Sequence, residues 1–357
     1  MVDRACAVAV DLEHRRHLKA RTRGEREADE QREPDRSHPI TMPQIAADTA
    51  TICRMVTRWF AIAAGMAAFV LNASAQAPTS AAARDATVFG FKLHYLEAGR
   101  GTPVVLLHGL GGDGSRWAPN IDPLAKDFHV FALDQIGFGE SDKPLANYHT
   151  GMLAEFLVGF LKAVGVQKAS LVGNSMGAGV ALYTAAKFPH AVDRIVLADG
   201  GGYRSQPGRA AAAPTAEALH RRQIQNSVTR GETREFFRIL FHDKSLVTDR
   251  MVDDQFAMRL RSAFTIAKIQ EAGEKGLGSL TEDEVRAVKA PTLIVWGKYD
   301  ELANPAGADR LEQAIPGSRK VIIDNCGHMP QLEKTDEFNS LVRQFLSARP
   351  PTEQIKN

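Results

Sequence analysis

A short stretch near the middle of the chain combines an apolar run, a Gly-x-Ser-x-Gly pentapeptide and a helix-like segment. The apolar run is 169–172, Ser175 is the central serine, and the helical pattern covers 178–187. Glycine two residues to either side of the serine leaves room for a strand to turn sharply into a helix, because a Cβ there would collide with neighbouring backbone. The first N–H groups of a helix lack partners within it, so the N–H of Met176 is free to bind an anion. The sequence therefore predicts a strand–turn–helix unit that presents the hydroxyl of Ser175.

Composition and charge restrict the class of protein. The 357 residues are 44% hydrophobic and carry a formal net charge of +2, values that suit a globular protein with a substantial core. The charges are well mixed past residue 85, with no basic stripe interleaved with aromatic residues, so we expect no nucleic-acid partner. The cysteines form no zinc-binding pattern, and Cys326 is predicted to be a half-buried loop residue. We expect no metal or organic cofactor, and the sequence leaves the oligomeric state open.

The first 54 residues form a charged leader. Residues 1–41 are crowded with Arg, Glu and Asp and show no apolar period, so this segment is predicted to be disordered if it is made. A second interpretation is that translation begins at Met42 or Met55, in which case the charged leader is an artefact of the chosen start codon.

Residues 55–77 have the pattern of a secretory signal peptide. Arg58 supplies positive charge, an apolar run covers 60–71, and small residues precede a cleavage site after Ala75 or Ala77. The run is too short to span a bilayer comfortably, and the alternative is an amphipathic or buried N-terminal helix. We therefore expect a periplasmic or secreted protein with no stable membrane anchor after cleavage.

Past residue 85 the sequence alternates strand-like and helix-like segments. Residues 88–91 and 92–96 are predicted to form a hairpin through Gly90. The other predicted strands are 102–107, 129–133, 169–172, 194–198, 292–297 and 319–323. The predicted helices are 117–126, 152–164, 178–187, 305–314 and a closing helix that contains 338–346. Because strands that alternate with helices build a parallel sheet covered on both faces, we predict an α/β fold with a core formed by 86–202 and 290–347.

The segment 203–289 interrupts this alternation. It is rich in Ala, Arg and Glu and contains no convincing strand. Its phenylalanines are Phe236, Phe237, Phe241, Phe256 and Phe264. A helical insertion between two strands of such a sheet is predicted to be a cap over the carboxyl ends of the strands. Most of these rings are expected to hold the cap helices together, and one or two to face the site.

Three residues that follow predicted strands have the chemistry of a catalytic triad. A serine hydroxyl is a weak nucleophile until a base removes its proton, and the base works best when an acid fixes its tautomer. Ser175, Asp300 and His328 are predicted to be nucleophile, acid and base, and all three lie at carboxyl ends of strands. Asp199 is the second choice for the acid. Glu301 is a further acidic residue, directly after Asp300. The alternative is a turn-forming Asp300 with an ordinary loop His328.

The oxyanion of acyl transfer needs a second donor from the loop after an early strand. The loop 108–111, His-Gly-Leu-Gly, is in that position, and the N–H groups of Leu110 and Met176 are the predicted oxyanion hole. His108 is expected to steady this loop rather than act as a base. Asp134 is expected to shape the glycine-rich turn that follows it.

Five motifs together resemble the α/β-hydrolase superfamily, over residues 86–346. They are His-Gly-Leu-Gly-Gly at 108–112, Asp-Gln-Ile-Gly-Phe-Gly-Glu-Ser-Asp-Lys-Pro at 134–144, Gly-Asn-Ser-Met-Gly at 173–177, Trp-Gly-Lys-Tyr-Asp at 296–300 and Cys-Gly-His-Met-Pro-Gln-Leu-Glu at 326–333. Within the superfamily the chain looks most like bacterial lipases and carboxylesterases. It looks next most like the hydrolases that cleave carbon–carbon bonds in meta-cleavage products, which share Gly-Asn-Ser-Met-Gly but usually carry Gly-Pro-Gly in the oxyanion loop.

The resemblance and the triad predict a serine hydrolase that cleaves carboxylic esters, as an esterase or lipase, through an acyl-enzyme on Ser175. Its substrate would be a small-molecule or lipid ester. Carbon–carbon hydrolysis of a catabolic dienoate is the alternative, although export argues against it because such intermediates arise in the cytoplasm. A non-catalytic binding protein on the same fold is a further alternative. The stretch from Asp134 also resembles haloalkane dehalogenases and epoxide hydrolases, but their chemistry needs a carboxylate nucleophile where this chain has Ser175.

Overall fold

An eight-stranded sheet forms the centre of the computed structural model, which describes residues 80–203 and 229–348. The order of strands across the sheet is β1-β2-β4-β3-β5-β6-β7-β8. The strands are β1 Ala82–Val88, β2 Phe91–Gly99, β3 Thr102–Leu107, β4 Phe128–Leu133, β5 Ala169–Asn174, β6 Val192–Ala198, β7 Thr292–Gly297 and β8 Arg319–Ile323. β2 pairs antiparallel with β1 and β4, and every pairing from β4 to β8 is parallel. The predicted α/β fold with a mostly parallel sheet is confirmed.

The helices fall between the strands and in one long insertion. They are α1 Ala118–Ala125, α2 Thr150–Ala163, α3 Met176–Lys187, α4 Arg230–Leu240, α5 Asp249–Arg261, α6 Ala263–Lys275, α7 Glu282–Arg286, α8 Ala306–Ala314, α9 Pro330–Glu333 and α10 Thr335–Ser347. Short 3-10 helices occupy Gly114–Trp117, Pro189–Ala191 and Lys244–Leu246. None of the helices described is long and apolar enough to cross a membrane.

Two apolar cores lie on the two faces of the sheet. One contains side chains of α2, α3 and α8, among them Phe160, Ala181 and Leu311. The other contains side chains of α1 and α10, among them Ile121 and Phe338. Every residue of β5 and of β7 is buried, which explains why these strands are continuous apolar runs without alternation. The middle of the sheet is therefore a rigid support for the loops at its carboxyl edge.

The N-terminal hairpin differs from its prediction. β1 ends at Val88, and the turn is formed by Phe89 and Gly90 with φ of 51° and 84°. Positive φ at both central residues is typical of a two-residue type I′ hairpin turn, so Phe89 lies in the turn rather than in a strand. The sheet also begins at Ala82, before the predicted core boundary at residue 86.

The insertion between β6 and β7 is helical where the structure describes it, from 229 to 289. Its helices α4 and α5 contribute to a third apolar cluster, whose buried members are Phe236, Phe237, Leu240, Phe241, Val247, Val252 and Met329. Met329 belongs to the core, so the cluster joins the insertion to the carboxyl edge of the sheet. The predicted charged leader and signal peptide, and the part of the predicted cap at 204–228, lie outside the described residues.

Candidate active site

Ser175 lies at the turn between β5 and α3, with a positive φ of 55°. This backbone conformation is uncommon for a residue with a side chain and is held here by the surrounding structure. The Ser175 N–H donates to the carbonyl of Ala198 on β6 at 2.8 Å. A Cβ on Gly173 would collide with the backbone of Gly177, and one on Gly177 with the carbonyl of Leu107. The flanking glycines are therefore required by close backbone approach, as the sequence predicted.

His328 and Asp300 form a buried hydrogen-bonded pair. Nδ1 of His328 lies 2.7 Å from Oδ2 of Asp300, and the two side chains are almost fully shielded from solvent. Oδ1 of Asp300 accepts from the N–H groups of Leu302 and Ala303, each at 2.8 Å. These bonds fix the carboxylate, which in turn fixes the ring of His328 with Nε2 pointing away from the acid. Nε2 is buried and makes no hydrogen bond within the part of the chain that the structure describes.

The loop that carries His328 is held from both sides. The His328 N–H donates to the carbonyl of Leu240 at the end of α4, at 2.7 Å. Its carbonyl accepts from Nδ2 of Asn174, the residue before the serine, at 3.0 Å. The carboxylate of Glu333 accepts from the N–H of Gly327 at 2.7 Å. The base is thus tied to the insertion and to the nucleophile turn.

The other two acids predicted near His328 have different surroundings. The Glu301 carboxylate is half exposed and pairs with Lys244 at 2.8 Å. Asp199 is buried, and its Oδ1 accepts from the N–H of Gly297 at 2.9 Å. Carboxyl oxygens of Asp199 and Asp300 and a ring nitrogen of His328 all lie within 4.8 Å of one another. The site therefore contains two adjacent buried carboxyl groups, and the one that is hydrogen-bonded to His328 is Asp300.

Burial dominates the chemistry of Asp199. Desolvation, followed by the repulsion of Asp300, raises the pKa of Asp199 well above its usual value. Two carboxylates this close cannot both ionise easily, so Asp199 is the neutral member of the pair. Its Oδ2 accepts from no N–H group among the described residues, and a side-chain hydrogen bond with Asp300 also raises the pKa of Asp199.

The loop after β3 passes directly over the serine. A Cβ on Gly109 would lie 3.3 Å from Cβ of Ser175, and Leu110 lines the same cavity as the serine. Met176 is the first residue of α3, so its N–H belongs to the group without an intrahelical acceptor. The structure thus places the two predicted oxyanion donors on the two segments that flank Ser175.

His108 holds this loop in place. Its Nε2 lies 3.1 Å from the N–H of Gln135, which makes it the acceptor, and its Nδ1 then donates to the carbonyl of Gly109 at 2.8 Å. Burial lowers the pKa of His108 to about 4, so the ring is neutral at physiological pH.

Two other buried groups have structural surroundings. Asp134 accepts from the N–H groups of Gly114 and Glu140, each at 2.7 Å, and burial raises its pKa to about 6. Cys326 is fully buried rather than half-buried as predicted, and burial raises the pKa of its thiol.

A cavity lies above the serine, and the insertion forms one side of it. Its lining residues are Gly109, Leu110, Gly112, Arg116, Asn174, Ser175, Phe236, Phe237, Leu240, Gln255, Leu302, His328 and Met329. Two of the five phenylalanines of the insertion, Phe236 and Phe237, face this cavity. The walls are mostly apolar, with the polar groups concentrated at the serine and at Arg116.

Sequence reasoning missed Arg116 and Gln255. Gln255 is a buried residue of α5, and its Nε2 donates to the carbonyl of Gly111 in the oxyanion loop at 2.8 Å. Nη2 of Arg116 donates to the Gln255 amide oxygen. No motif contains either residue. The available signal was the position of Arg116, between the glycine-rich loop and the predicted helix that begins at Trp117.

Residues 102–335 match the family model described as the alpha/beta hydrolase fold. The chain therefore belongs to the α/β-hydrolase family and is a hydrolase of that family. It is 32% identical over 273 residues to the dihydrolipoyllysine-residue acetyltransferase component of the acetoin cleaving system of Cupriavidus necator, covering 75% of this chain and 70% of that protein.

Two further relatives have similar coverage. The 2-hydroxy-6-oxo-6-(2'-aminophenyl)hexa-2,4-dienoic acid hydrolase of Metapseudomonas resinovorans is 31% identical over 269 residues, covering 73% of this chain and 89% of that protein. The structure of a meta-cleavage product hydrolase from Pseudomonas fluorescens IP01 superimposes with a TM-score of 0.65 at 28% identity, covering 74% of this chain and 97% of that one.

Proposed function

We propose that this protein is a serine hydrolase that cleaves a carbon–carbon bond beside a ketone in a conjugated dienoate. The observation that carries the proposal is the placement of Ser175 on a strained turn, in one cavity with His328, whose other ring nitrogen is bonded to Asp300. This arrangement suits attack on a carbonyl carbon. The relatives named for meta-cleavage products support the choice of bond, because they align with this chain over almost their whole length.

In the proposed reaction the Oγ of Ser175 forms a bond to the ketone carbon as its proton passes to Nε2 of His328. The developing oxyanion is held by the N–H groups of Leu110 and Met176. Because the carbon beside the ketone is part of a double bond in the dienol, the enol proton first moves to that carbon and gives the keto tautomer. The carbon–carbon bond then breaks, and its electron pair is delocalised through the departing fragment as a dienolate, which takes the proton from His328. Water next attacks the acyl-enzyme with His328 again as base, releasing a carboxylic acid and restoring the Ser175 hydroxyl.

Hydrolysis of carboxylic esters is the second candidate. The oxyanion loop His-Gly-Leu-Gly-Gly favours it, because carbon–carbon hydrolases usually carry Gly-Pro-Gly there. The same residues can serve both reactions, because each begins with attack of Ser175 on a carbonyl carbon. The leaving group differs, and an alcohol leaves an ester more easily than a carbanion leaves a ketone. The two candidates therefore differ in the substrate and not in the nucleophile.

The test begins with a phosphonate label. An organophosphonate is expected to add one equivalent to Ser175, measured by intact mass, and to label neither Ser175→Ala nor His328→Ala. Circular dichroism shows whether each variant is folded. If the folded wild type is not labelled and hydrolyses none of the substrates, the hydrolase proposal is wrong and the remaining interpretation is a non-catalytic binding protein.

A substrate panel then decides the bond. The wild type is given a meta-cleavage dienoate, whose loss is followed by its visible absorbance, beside p-nitrophenyl esters of increasing acyl length. We expect a higher kcat/KM for the dienoate than for any ester, with a carboxylic acid as product. Ester hydrolysis without dienoate cleavage would contradict the proposal and establish the second candidate.

A further inference from the structure

The catalytic cavity contains a cation that no carboxylate among the described residues neutralises by contact. Arg116 belongs to the 3-10 helix Gly114–Trp117, just after the oxyanion loop, and lines the cavity together with Ser175. Within the described part of the chain, its guanidinium contacts the amide oxygen of Gln255 and lies 5.0 Å from the ring centre of Phe237. Both partners are neutral, so the charge itself is unpaired.

The two acidic residues whose charges act on Arg116 have other partners. Asp113 and Asp254 each favour the charged form of Arg116, but burial has the larger effect and lowers its pKa. Oδ1 of Asp113 accepts from the N–H and the hydroxyl of Ser115, at 3.0 and 2.5 Å. Asp254 pairs with Arg250 at 3.8 Å on the exposed side of α5. Neither carboxylate satisfies the donors that Arg116 presents.

A second guanidinium, which is buried, lies close to the same end of the cavity. Arg259 of α5 is 4% exposed and stacks over Phe236 at 5.0 Å from the ring centre. Its Nε has no hydrogen-bond partner among the described residues, and burial lowers its pKa. A Cβ placed on Gly111 would lie 3.6 Å from Cγ of Arg259, which puts this side chain beside the oxyanion loop. Two cations therefore give this end of the cavity a positive potential.

An uncompensated cation of this kind is costly unless something pairs with it. Removing a charge from water is unfavourable, and arginines shielded from solvent, as Arg259 is fully and Arg116 partly, are normally bonded to carboxylates or phosphates. A guanidinium presents several N–H donors in a planar fork that matches a carboxylate at two points. The remaining walls, with Phe236, Leu240 and Met329, suit the hydrocarbon part of a ligand. An organic acid satisfies both requirements.

We propose that Arg116 binds a carboxylate carried by the substrate, at a distance from the carbonyl that Ser175 attacks. The substrates are then acids with two functional ends, a reactive ketone or ester carbonyl and a free carboxylate. This inference rests on the proposed hydrolase function, and it holds whichever bond is cleaved. In carbon–carbon cleavage, a cation at the carboxylate end would also stabilise the negative charge that is delocalised towards it.

The test compares matched substrates that differ in one charge. Mono-p-nitrophenyl esters of dicarboxylic acids of increasing length are compared with their methyl-capped neutral counterparts, in wild type and in Arg116→Met. We expect the wild type to prefer a charged ester of one length. In Arg116→Met, kcat/KM should fall by about 10- to 100-fold more for the charged than for the neutral ester, since a charge-assisted hydrogen bond is lost. Arg116→Lys should keep part of the preference.

Arg261→Met is the matched control. Arg261 is an exposed residue of α5, so its replacement removes the same charge without changing the cavity, and the preference should persist. A wild type that hydrolyses charged and neutral esters equally well would overturn the role of Arg116 while leaving the hydrolase function intact. An equal fall in kcat/KM for the charged and the neutral ester in Arg116→Met would also overturn the role of Arg116. A wild type that hydrolyses neither these esters nor a dienoate would contradict the proposed function itself.

Discussion

Two buried carboxyl groups lie beside the base, and their hydrogen bonds separate their roles. Asp300 accepts from His328 and from two backbone N–H groups, so it has the partners that a carboxylate needs. Asp199 accepts from one backbone N–H, and its pKa is raised by burial and by Asp300. The structure therefore supports Asp300 as the acid of the triad and makes Asp199 a neutral neighbour.

This difference predicts unequal mutants. Asp300→Asn should lower kcat by about 10⁴-fold, because the amide stabilises the wrong tautomer of His328. Asp199→Asn replaces a neutral acid by a neutral amide and should lower kcat by roughly tenfold or less, the effect of one ordinary hydrogen bond. Steady-state kinetics on the best substrate of the panel measures both. A larger loss in Asp199→Asn would show that Asp199 is the acid.

Asp199 should also affect stability as a function of pH. When the chain unfolds, Asp199 ionises near its ordinary pKa of about 3.9, whereas burial raises its pKa in the folded chain. Above about pH 4 the unfolded state therefore binds fewer protons, and the free energy of unfolding falls as pH rises towards the pKa of folded Asp199.

Asp199→Asn cannot ionise, so we expect its free energy of unfolding to fall less between about pH 4 and pH 7. Urea unfolding at a series of pH values gives the comparison. Parallel pH dependences in wild type and variant would mean that Asp199 is ionised in the folded protein.

At the level of the elements, the candidate site is assembled by neighbouring parallel strands. Ser175 follows β5, Asp199 follows β6, Asp300 follows β7, and His328 follows β8. These four strands are adjacent and parallel, so their carboxyl ends meet at one edge of the sheet. Ligands of open α/β sheets bind at that edge.

The sequence predicted β3, β7 and β8 to the residue, because β3 and β7 are apolar runs with clear ends and β8 ends in three β-branched apolar residues. It missed most of β1, whose residues are largely exposed and show no apolar alternation. It predicted one helix over 117–126, whereas α1 covers Ala118–Ala125 and Trp117 ends a separate 3-10 helix.

The predicted site residues could be found because each one follows such a strand. The contacts of Arg116 and Gln255 could not be predicted in this way, because they join segments 139 residues apart. A contact between residues so far apart in the sequence leaves no local sequence pattern from which it could be predicted.

One such contact predicts how the insertion affects catalysis. Gln255 of α5 donates to the carbonyl of Gly111, where the oxyanion loop has φ of 71°. Gln255→Met should free this loop and lower kcat by roughly tenfold, part of the effect of losing an oxyanion donor, with a smaller change in KM. Gln255→Glu should behave similarly, because a carboxylate can still accept from Arg116 but cannot donate to Gly111.

Gln270→Met on α6 is the control, since it makes the same chemical change at a half-buried position away from the cavity lining. Its kcat should match the wild type. Unchanged kcat in both Gln255 variants would show that the oxyanion loop does not depend on the insertion.

At the scale of the whole molecule, the described part of the chain combines a rigid sheet with a helical insertion that closes the cavity. The insertion is tied to the loops of the core by Gln255, by the contact of Leu240 with His328, and by Met329 in the third apolar cluster. The insertion and the loops that carry the candidate catalytic groups are therefore held together by direct contacts.

The N-terminus gives the last prediction. Ser80 is tied to Asp122 by its N–H at 3.0 Å and its hydroxyl at 2.7 Å, and β1 begins two residues later. Removal of a signal peptide after Ala75 or Ala77 would leave these contacts intact, because both sites precede Ser80. We propose that the protein is exported in this way, which would favour ester hydrolysis over cleavage of a dienoate formed in the cytoplasm. Expression in a Gram-negative host with periplasmic fractionation should give a mature chain that begins at Gln76 or Pro78 by N-terminal sequencing. An active protein that stays in the cytoplasm with residues 55–77 attached would contradict export. A cytoplasmic enzyme would have access to a dienoate formed in the cytoplasm, so export would no longer argue against carbon–carbon cleavage.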